Sequence, residues 1–206
     1  MSLRHALLAL LTAQPMSGYD VTKVFDRSET FVWHAPHSQI YPELRRMEVE
    51  GLIAAESSQR GRHGIKRMYS VTAPGRAELR RWVCEQMPPE PIRDAQRLKS
   101  AYLEFGSLDN ARRQFKAHLE HYELWERLWE SHVVQLRARA TPLIRKRLMR
   151  SDPSEHEAIV AYKVHAYEGL VAQARAEVAW AQEGLRMVDE LEAAGHREPD
   201  VAGSAR

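Results

Sequence analysis

A cluster of prolines divides the chain into two parts. Pro88, Pro89 and Pro91 lie within four positions, and proline lacks the amide hydrogen that helices and sheet ladders need. No regular element is expected to continue through residues 87–91, so we interpret this segment as a stiff linker. The sequence predicts a domain over residues 1–86, a second over 92–194, and a disordered tail over 195–206.

Composition excludes several classes of protein. With 206 residues and 44% hydrophobic side chains, the chain can bury a core, so wholesale disorder is excluded. A formal charge of +2 excludes a polybasic tail protein. No apolar run reaches the ~18 to 20 residues of a membrane span, and we expect a soluble, cytoplasmic protein without a membrane partner. The single cysteine, Cys84, cannot form an internal disulfide, and we expect it to be a small buried residue.

The first 86 residues have the pattern of three helices, a hairpin and a fourth helix. Ser17 and Asp20 have the spacing of a capping box at the start of the second helix. The third helix is predicted over residues 38–50, and Gly51 is expected to close it with Leu52 in a hydrophobic contact. On this helix the inner face is formed by Ile40, Leu44 and Met47.

A basic hairpin follows the third helix. Strands are predicted over residues 53–57 and 68–72. The loop between them contains two glycines and, in addition, five Arg, Lys or His residues. Thr72 is expected to cap the fourth helix, with Pro74 in its first turn. Three helices followed by such a hairpin predict a winged helix-turn-helix with a two-stranded wing, in a mainly α protein.

This fold places DNA contacts on the outward face of the third helix and at the wing. Arg45 is the best candidate for reading a base, because its planar fork matches guanine O6 and N7. Further candidates on the helix are Ser38, Gln39, Tyr41 and Arg46, and the wing offers phosphate contacts from Arg60, Arg62, His63, Lys66 and Arg67. The alternative is that these cations form a solvated helix face and a polar hairpin. The combination of both elements favours double-stranded DNA.

Three blocks of sequence resemble the PadR family of bacterial transcriptional regulators. They are Met16-Ser17-Gly18-Tyr19-Asp20, the run Ile40-Tyr41-Pro42-Glu43-Leu44-Arg45-Arg46-Met47-Glu48-Val49-Glu50-Gly51-Leu52-Ile53, and Tyr69-Ser70-Val71-Thr72-Ala73-Pro74-Gly75-Arg76. The resemblance covers residues 1–86. It implies a homodimer that regulates promoters, acts as a repressor or an activator, and often responds to a small phenolic or drug-like molecule.

Two positions depart from the family pattern. Gln39 stands where many members have a small residue, and Met68 where a second aromatic is common. Both departures leave the operator sequence open and do not affect the predicted fold.

The last long helix carries a repeating apolar stripe. Its members alternate by steps of four and three residues: Val160, Val164, Tyr167, Val171, Ala174, Val178, Ala181, Leu185 and Val188. Four such repeats are typical of a dimeric coiled coil. An intramolecular core stripe has the same spacing, because helices in bundles use the same packing. We expect a C-terminal helical dimerisation domain, since a two-fold operator requires a two-fold protein.

An aromatic stripe lies on the preceding helix, predicted over residues 107–140. Tyr122, Trp125 and Trp129 could line a pocket for a flat aromatic effector, although such a stripe more often forms core. Signals of enzyme chemistry are weak. The pair His118 and His121 lacks the HExxH arrangement of a zinc site, and no P-loop or nucleophile elbow is present. We predict no catalytic residue, metal or cofactor; the alternatives are a ligand- or metal-dependent enzyme and a coiled-coil adaptor that does not bind DNA.

Overall fold

The computed structural model describes residues 3–26, 35–59, 65–88, 91 and 93–195. The helices are α1 (Leu3–Leu11), α2 (Gly18–Asp26), α3 (His37–Val49), α4 (Ala73–Cys84), α5 (Ala95–Ser100), α6 (Leu108–Arg137), α7 (Pro142–Leu148) and α8 (His156–Ala193). The strands are β1 (Met16–Ser17), β2 (Ile53–Gln59) and β3 (Ile65–Val71). Short 3-10 turns at Leu103–Phe105 and Pro153–Glu155 precede α6 and α8.

The predicted winged helix-turn-helix is confirmed, with one strand more than expected. Strands β2 and β3 form the antiparallel wing, with Ile53 opposite Val71. The two residues of β1 add to the other edge of β3, where Met16 lies opposite Tyr69. Two residues are too few to show an alternating pattern, so β1 could not be predicted from the sequence.

Local signals set the ends of the helices around the wing. Ser17 Oγ accepts a hydrogen bond from the Asp20 amide at 3.2 Å, and the Asp20 carboxylate accepts one from the Ser17 amide, as the capping box predicts. At the end of α3, Gly51 has a φ of +72°, and the Leu52 amide donates to the Met47 carbonyl at 2.9 Å. These contacts form the Schellman motif that closes α3.

The core of the winged helix lies between α1, α2, α3 and the sheet. Leu7, Leu8, Val21, Ile40 and Leu44 are fully buried there.

The prediction for Cys84 is wrong, because its side chain is exposed. Cys84 is the last residue of α4 and lies two positions after the half-buried Trp82, which places it on the opposite side of the helix.

The chain forms two compact units that are discontinuous in sequence. One comprises Met1–Met87 and Ser131–Tyr167, and the other Pro88–Glu130 and Glu168–Arg206. In the first unit, Leu143 of α7 packs against the winged-helix core. Arg147 and Arg150 donate to the carbonyls of Thr12 and Ala13, just beyond the end of α1. The domains 1–86 and 92–194 remain a prediction, as does the disordered tail, most of which lies outside the described residues.

The second unit has its own small core. Ala111, Phe115 and Val188 are buried together, with Leu103 and Trp180 packed against them. Phe115 and Trp180 meet edge to face at 5.3 Å. Among the described residues, no helix combines the length and apolarity needed to cross a membrane.

Candidate nucleic-acid interface

Helix α3 presents one apolar and one polar face. Ile40, Leu44 and Met47 are fully buried, as predicted. The candidates Ser38, Gln39, Tyr41, Arg45 and Arg46 are all exposed on the outward side. The buried side fixes the helix on the core, which leaves the polar side free to enter a groove of DNA.

Arg45 and Arg46 differ in how they are held. The Arg46 guanidinium donates to the Glu43 carboxylate at 3.1 Å, within the same helix. Arg45 makes no hydrogen bond or ion pair with any residue that the structure describes. Because no described carboxylate holds the exposed Arg45 guanidinium, its five donors can reach a base edge without first breaking an ion pair within this part of the chain.

Tyr41 is fixed against the start of α2. A Cβ at Gly18 would lie 2.6 Å from Tyr41 Cε1, so only glycine admits the ring in this position. The ring remains 42% exposed. Tyr41 therefore joins α2 to α3 and can offer its hydroxyl to a phosphate from a defined position.

Of the wing candidates, the structure places one side chain. Arg67 on β3 is exposed, donates to the Glu48 carboxylate of α3, and lies over the Tyr69 ring at 5.8 Å. The Arg67 contact ties the wing to the recognition helix. The backbone of Lys66 belongs to β3, but its side chain lies outside the described residues, as do Arg60, Arg62 and His63.

Sequence reasoning missed an aromatic and cationic pair on α2. Tyr19 is 60% exposed, and Lys23 Nζ lies 4.6 Å from the centre of its ring. Tyr19 follows Gly18, against which Tyr41 packs, so the pair lies beside the start of α3. The signal was present, because an aromatic residue and a lysine four positions apart share one face of a helix.

A second basic segment lies in the C-terminal half and is not visible in the formal charge of +2 for the whole chain. Residues 137–151 contain Arg137, Arg139, Arg145, Lys146, Arg147 and Arg150 and no acidic residue. Residues 131–167 belong to the same compact unit as the winged helix. This segment therefore adds positive charge to the unit that contains the winged helix.

The apolar stripe of α8 is buried within the single chain. Val160, Val164, Tyr167, Val171, Ala174, Ala181 and Val188 are buried, and Val178 and Leu185 are half-buried. Val188 and Leu185 pack with Ala111 and Phe115 of α6. This burial favours the alternative that the sequence left open, an intramolecular core stripe, and the use of these residues in dimerisation remains a prediction.

The aromatic candidates for effector binding lie in one row on α6. Trp125 and Trp129 lie with ring centres 5.2 Å apart, and Tyr122 and Trp125 both contact His121. All three are half-buried. Their role in binding an effector remains a prediction, because the two cavities described in the second unit are lined by other residues.

A buried carboxylate in the second unit is held by two partners. Glu177 of α8 lies 2.6 Å from the Arg97 guanidinium and 2.9 Å from His118 Nε2. Burial raises the pKa of Glu177, but the hydrogen bonds from Arg97 and His118 outweigh it, so the pKa is below its ordinary value. Arg97 also lies over the Trp180 ring at 4.2 Å. This network joins α5, α6 and α8.

Among the described residues, no group of three or more His, Cys, Asp or Glu is placed to hold a metal.

These features define a winged helix-turn-helix protein. They are the exposed face of α3, the antiparallel wing, and the aromatic and cationic pair of α2. Residues 7–81 match the model of the transcriptional regulator PadR-like family. The winged helix of this chain is therefore similar to that of the PadR-like family of transcriptional regulators.

Individual relatives and solved structures show the same similarity. The negative transcriptional regulator PadR of Bacillus subtilis is 37% identical over 119 residues, which are 57% of this chain and 65% of that protein. The match thus spans less than two thirds of this relative's length. The crystal structure of Bacillus subtilis PadR in complex with operator DNA is similar with a TM-score of 0.68 at 28% identity, covering 91% of this chain and 99% of the other. The complex of the same protein with p-coumaric acid has a TM-score of 0.62 at 29% identity, covering 91% and 95%.

Proposed function

We propose that the chain is a transcriptional regulator that reads operator DNA with α3 and has no enzymatic activity. The observation that carries this proposal is Arg45, which is exposed on the outward face of α3 and has no hydrogen-bond or ion-pair partner in the part of the chain that the structure describes. The matched family consists of transcriptional regulators, and a protein of similar structure is known in complex with operator DNA. The name of the Bacillus subtilis relative, negative transcriptional regulator PadR, supports repression as the mode of action.

In this proposal the protein acts as a homodimer. One winged helix contacts few base pairs, and a two-fold dimer doubles the site and fixes the spacing of its halves. Specific binding typically exceeds non-specific binding by ~4 to 10 kcal/mol. A change in the separation of the two recognition helices removes much of this difference, because the second half-site no longer matches.

The proposed regulation is by a small aromatic effector. Support comes from the p-coumaric acid complex of a protein with similar structure and from the row of Tyr122, Trp125 and Trp129 on α6. A ligand that prefers one packing of the C-terminal helices shifts the equilibrium between DNA-binding and non-binding geometries.

The DNA proposal is tested by selecting genomic fragments with the purified protein at two salt concentrations. We expect recovery of a palindromic site whose binding weakens steeply with salt, because cations on phosphates release counterions. The selection is repeated with Arg45→Ala, and the matched control is Arg113→Ala, which removes an exposed arginine of α6. Recovery of no sequence above background would contradict the proposal and favour the adaptor or enzyme alternatives.

The effector proposal is tested separately by titrating phenolic acids, starting with p-coumaric acid. Binding is followed by tryptophan fluorescence, and operator affinity is measured at saturation. We expect at least one phenolic acid to bind and to weaken operator binding. Effector control through this domain is wrong if every acid that binds leaves operator affinity unchanged.

A further inference from the structure

Two arginines attach helix α7 to the winged helix. Arg147 donates to the Thr12 carbonyl at 3.4 Å, and Arg150 donates to the Ala13 carbonyl at 3.2 Å. These carbonyls lie just beyond the C-terminal end of α1, where the helix dipole is negative. Arg147 and Arg150 therefore have a structural role, because they stabilise this helix end.

Arg145 and Lys146 lie on the outward side of the same helix. Both are exposed, whereas Ile144 and Leu148 on the inward side are buried. Neither cation forms an ion pair with any residue that the structure describes, and Arg145 bonds only the Arg139 carbonyl, through Nε at 3.4 Å. The terminal amino groups of Arg145 and the ammonium group of Lys146 are thus available to a ligand.

The neighbouring sequence does not neutralise these two charges. Residues 137–151 contain six Arg or Lys and no Asp or Glu. The next acidic residue is Asp152, whose carboxylate accepts a hydrogen bond from the Ser154 amide at 2.8 Å and caps the turn before α8. Glu157 is paired with Arg139. A surface with one sign of charge has a positive potential, which attracts a polyanion.

Helix α7 is held near the surface assigned to DNA. Leu143 packs against the winged-helix core, and α7 belongs to the same compact unit. Ala13, which Arg150 contacts, precedes the exposed Tyr19 by six residues, so these two positions lie at most about 20 Å apart. One turn of B-DNA is about 34 Å long. A duplex bound at Tyr19 and α3 therefore extends beyond this distance and brings phosphates into the neighbourhood of α7.

We propose that the outward face of α7 binds the phosphate backbone of the DNA beside the bases that α3 reads, with Arg145 and Lys146 as the contacting residues. The inference rests on the proposed function, because α3 must bring DNA to this unit. Guanidinium and ammonium groups bind phosphate oxygens through charge-assisted hydrogen bonds. Contacts to phosphate carry no sequence information. Helix α3 thus selects the site, and α7 adds affinity that falls with salt.

The first test measures the salt dependence of DNA binding for two double variants that lower the net charge equally. Arg145→Gln with Lys146→Gln removes the outward cations of α7, and Arg113→Gln with Lys116→Gln removes two exposed cations of α6. Each phosphate contact contributes about 0.9 to the slope of log affinity against log salt. We expect the α7 variant to reduce this slope by about 2, on the operator and on a random duplex of equal length.

The reduced slope has a direct consequence for affinity. Between about 50 and 200 mM salt, the unsubstituted protein should lose roughly tenfold more affinity than the α7 variant. The α6 variant should retain the slope of the unsubstituted protein, and circular dichroism checks that both variants are folded. An unchanged slope for the α7 variant, or an equal reduction in both variants, would overturn the proposal.

The second test locates α7 on the DNA. Met149 is 84% exposed at the end of α7, and Met149→Cys is made in a Cys84→Ser background, because Cys84 is exposed. An iron chelate attached to position 149 produces hydroxyl radicals that cut nearby DNA. We expect cuts beside the bases read by α3. The control is Phe105→Cys in the other compact unit, at a side chain that is 80% exposed. Cleavage from position 149 that is no stronger than from position 105 contradicts the proposed geometry.

The two proposals fail in different ways. If the unsubstituted protein binds no DNA at any salt concentration, the proposed function is wrong and this inference is wrong with it. If the unsubstituted protein reads its operator while the α7 variant leaves both the salt slope and the cleavage pattern unchanged, only this inference is wrong. A lower slope on operator and random duplex alike, with base discrimination intact, supports α7 as a contact to the DNA backbone.

Discussion

Gly75 of α4 lies directly against the main chain of Leu52: a Cβ at position 75 would be 2.0 Å from the Leu52 carbonyl oxygen. That carbonyl also accepts hydrogen bonds from the amide of Thr72 at 3.1 Å and from its hydroxyl at 2.9 Å. The start of α4 is thereby fixed to the residue that closes α3. The recognition helix and α4 are held at one point that excludes any side chain.

Gly75→Ala is expected to destabilise the winged helix by about 3 kcal/mol or more, because the methyl group would overlap a backbone oxygen that cannot move away. Chemical denaturation of the full chain measures the change. The matched control is Gly51→Ala. Gly51 has a φ of +72° but nothing within 4 Å of a Cβ, so it should cost only about 1 to 2 kcal/mol of backbone strain. Equal losses for the two substitutions would contradict the steric argument.

Helix α8 offers a matched pair of glycines. A Cβ at Gly184 would lie 2.5 Å from the Phe115 ring, whereas one at Gly169 would meet nothing within 4 Å. Gly184→Ala should destabilise the chain by about 1 to 3 kcal/mol, because the ring must shift. Gly169→Ala should stabilise it by about 0.5 to 1 kcal/mol, because alanine is the better helix former. Thermal unfolding compares both, and the packing of Phe115 on Gly184 is disproved if the two changes have the same sign.

Arg45→Ala should relax operator discrimination at a guanine by about 1 to 3 kcal/mol, because the planar fork is lost. The measurement is binding to the selected operator and to single-base variants of it. Arg67→Ala is the comparison, because Arg67 lies on the wing strand β3, where Glu48 of α3 holds it. Arg67→Ala should weaken binding to specific and random DNA by the same factor. Equal losses on specific and random DNA for Arg45→Ala would remove Arg45 from base reading.

His132 makes stability depend on pH. Its ring is buried against Tyr167, with centres 4.3 Å apart. Burial, and secondarily the charge of Lys163, lowers the pKa of His132 below its ordinary value of 6.5. The unfolded chain therefore takes up a proton that the folded chain resists, and stability falls as the pH falls below about 6.5.

His132→Gln should flatten this decline, since the substituted chain has no group to protonate there. The substitution should reduce the slope of the unfolding free energy against pH by at most about 1.4 kcal/mol per pH unit. Free energies of unfolding are compared from pH 8 to pH 5, with His165→Gln, an exposed position of α8, as the control. If His132→Gln shows the same slope as the unsubstituted protein, this residue does not control the pH response.

Local signals made much of the winged helix predictable. Three of these signals act within a few residues: the capping box of Ser17, the glycine at position 51 and the cap at Thr72. The Thr72 hydroxyl accepts a hydrogen bond from the Gly75 amide at 3.1 Å. The three outward arginine and tyrosine candidates on α3 followed from helical periodicity in the same way.

Long-range packing was not predictable from spacing alone. A repeat of small and apolar residues on α8 is equally suited to a partner chain and to α6, and the contact of Val188 with Phe115 decides for α6 at that end. The exposure of Cys84 depends on which side of α4 faces the core. The packing of α7 on the winged helix joins residues more than 130 positions apart.

The two guanidiniums that α7 places on the carbonyls of Thr12 and Ala13 also bear on biosynthesis. The winged helix leaves the ribosome first, but the residues that complete its compact unit extend to Tyr167. At a synthesis rate of about 5 to 20 residues per second, the 80 residues from Met87 to Tyr167 take roughly 4 to 16 s. For this interval the nascent chain exposes the surface that Leu143 later covers, and a DNA-binding head released early by a truncated message lacks the segment that completes it.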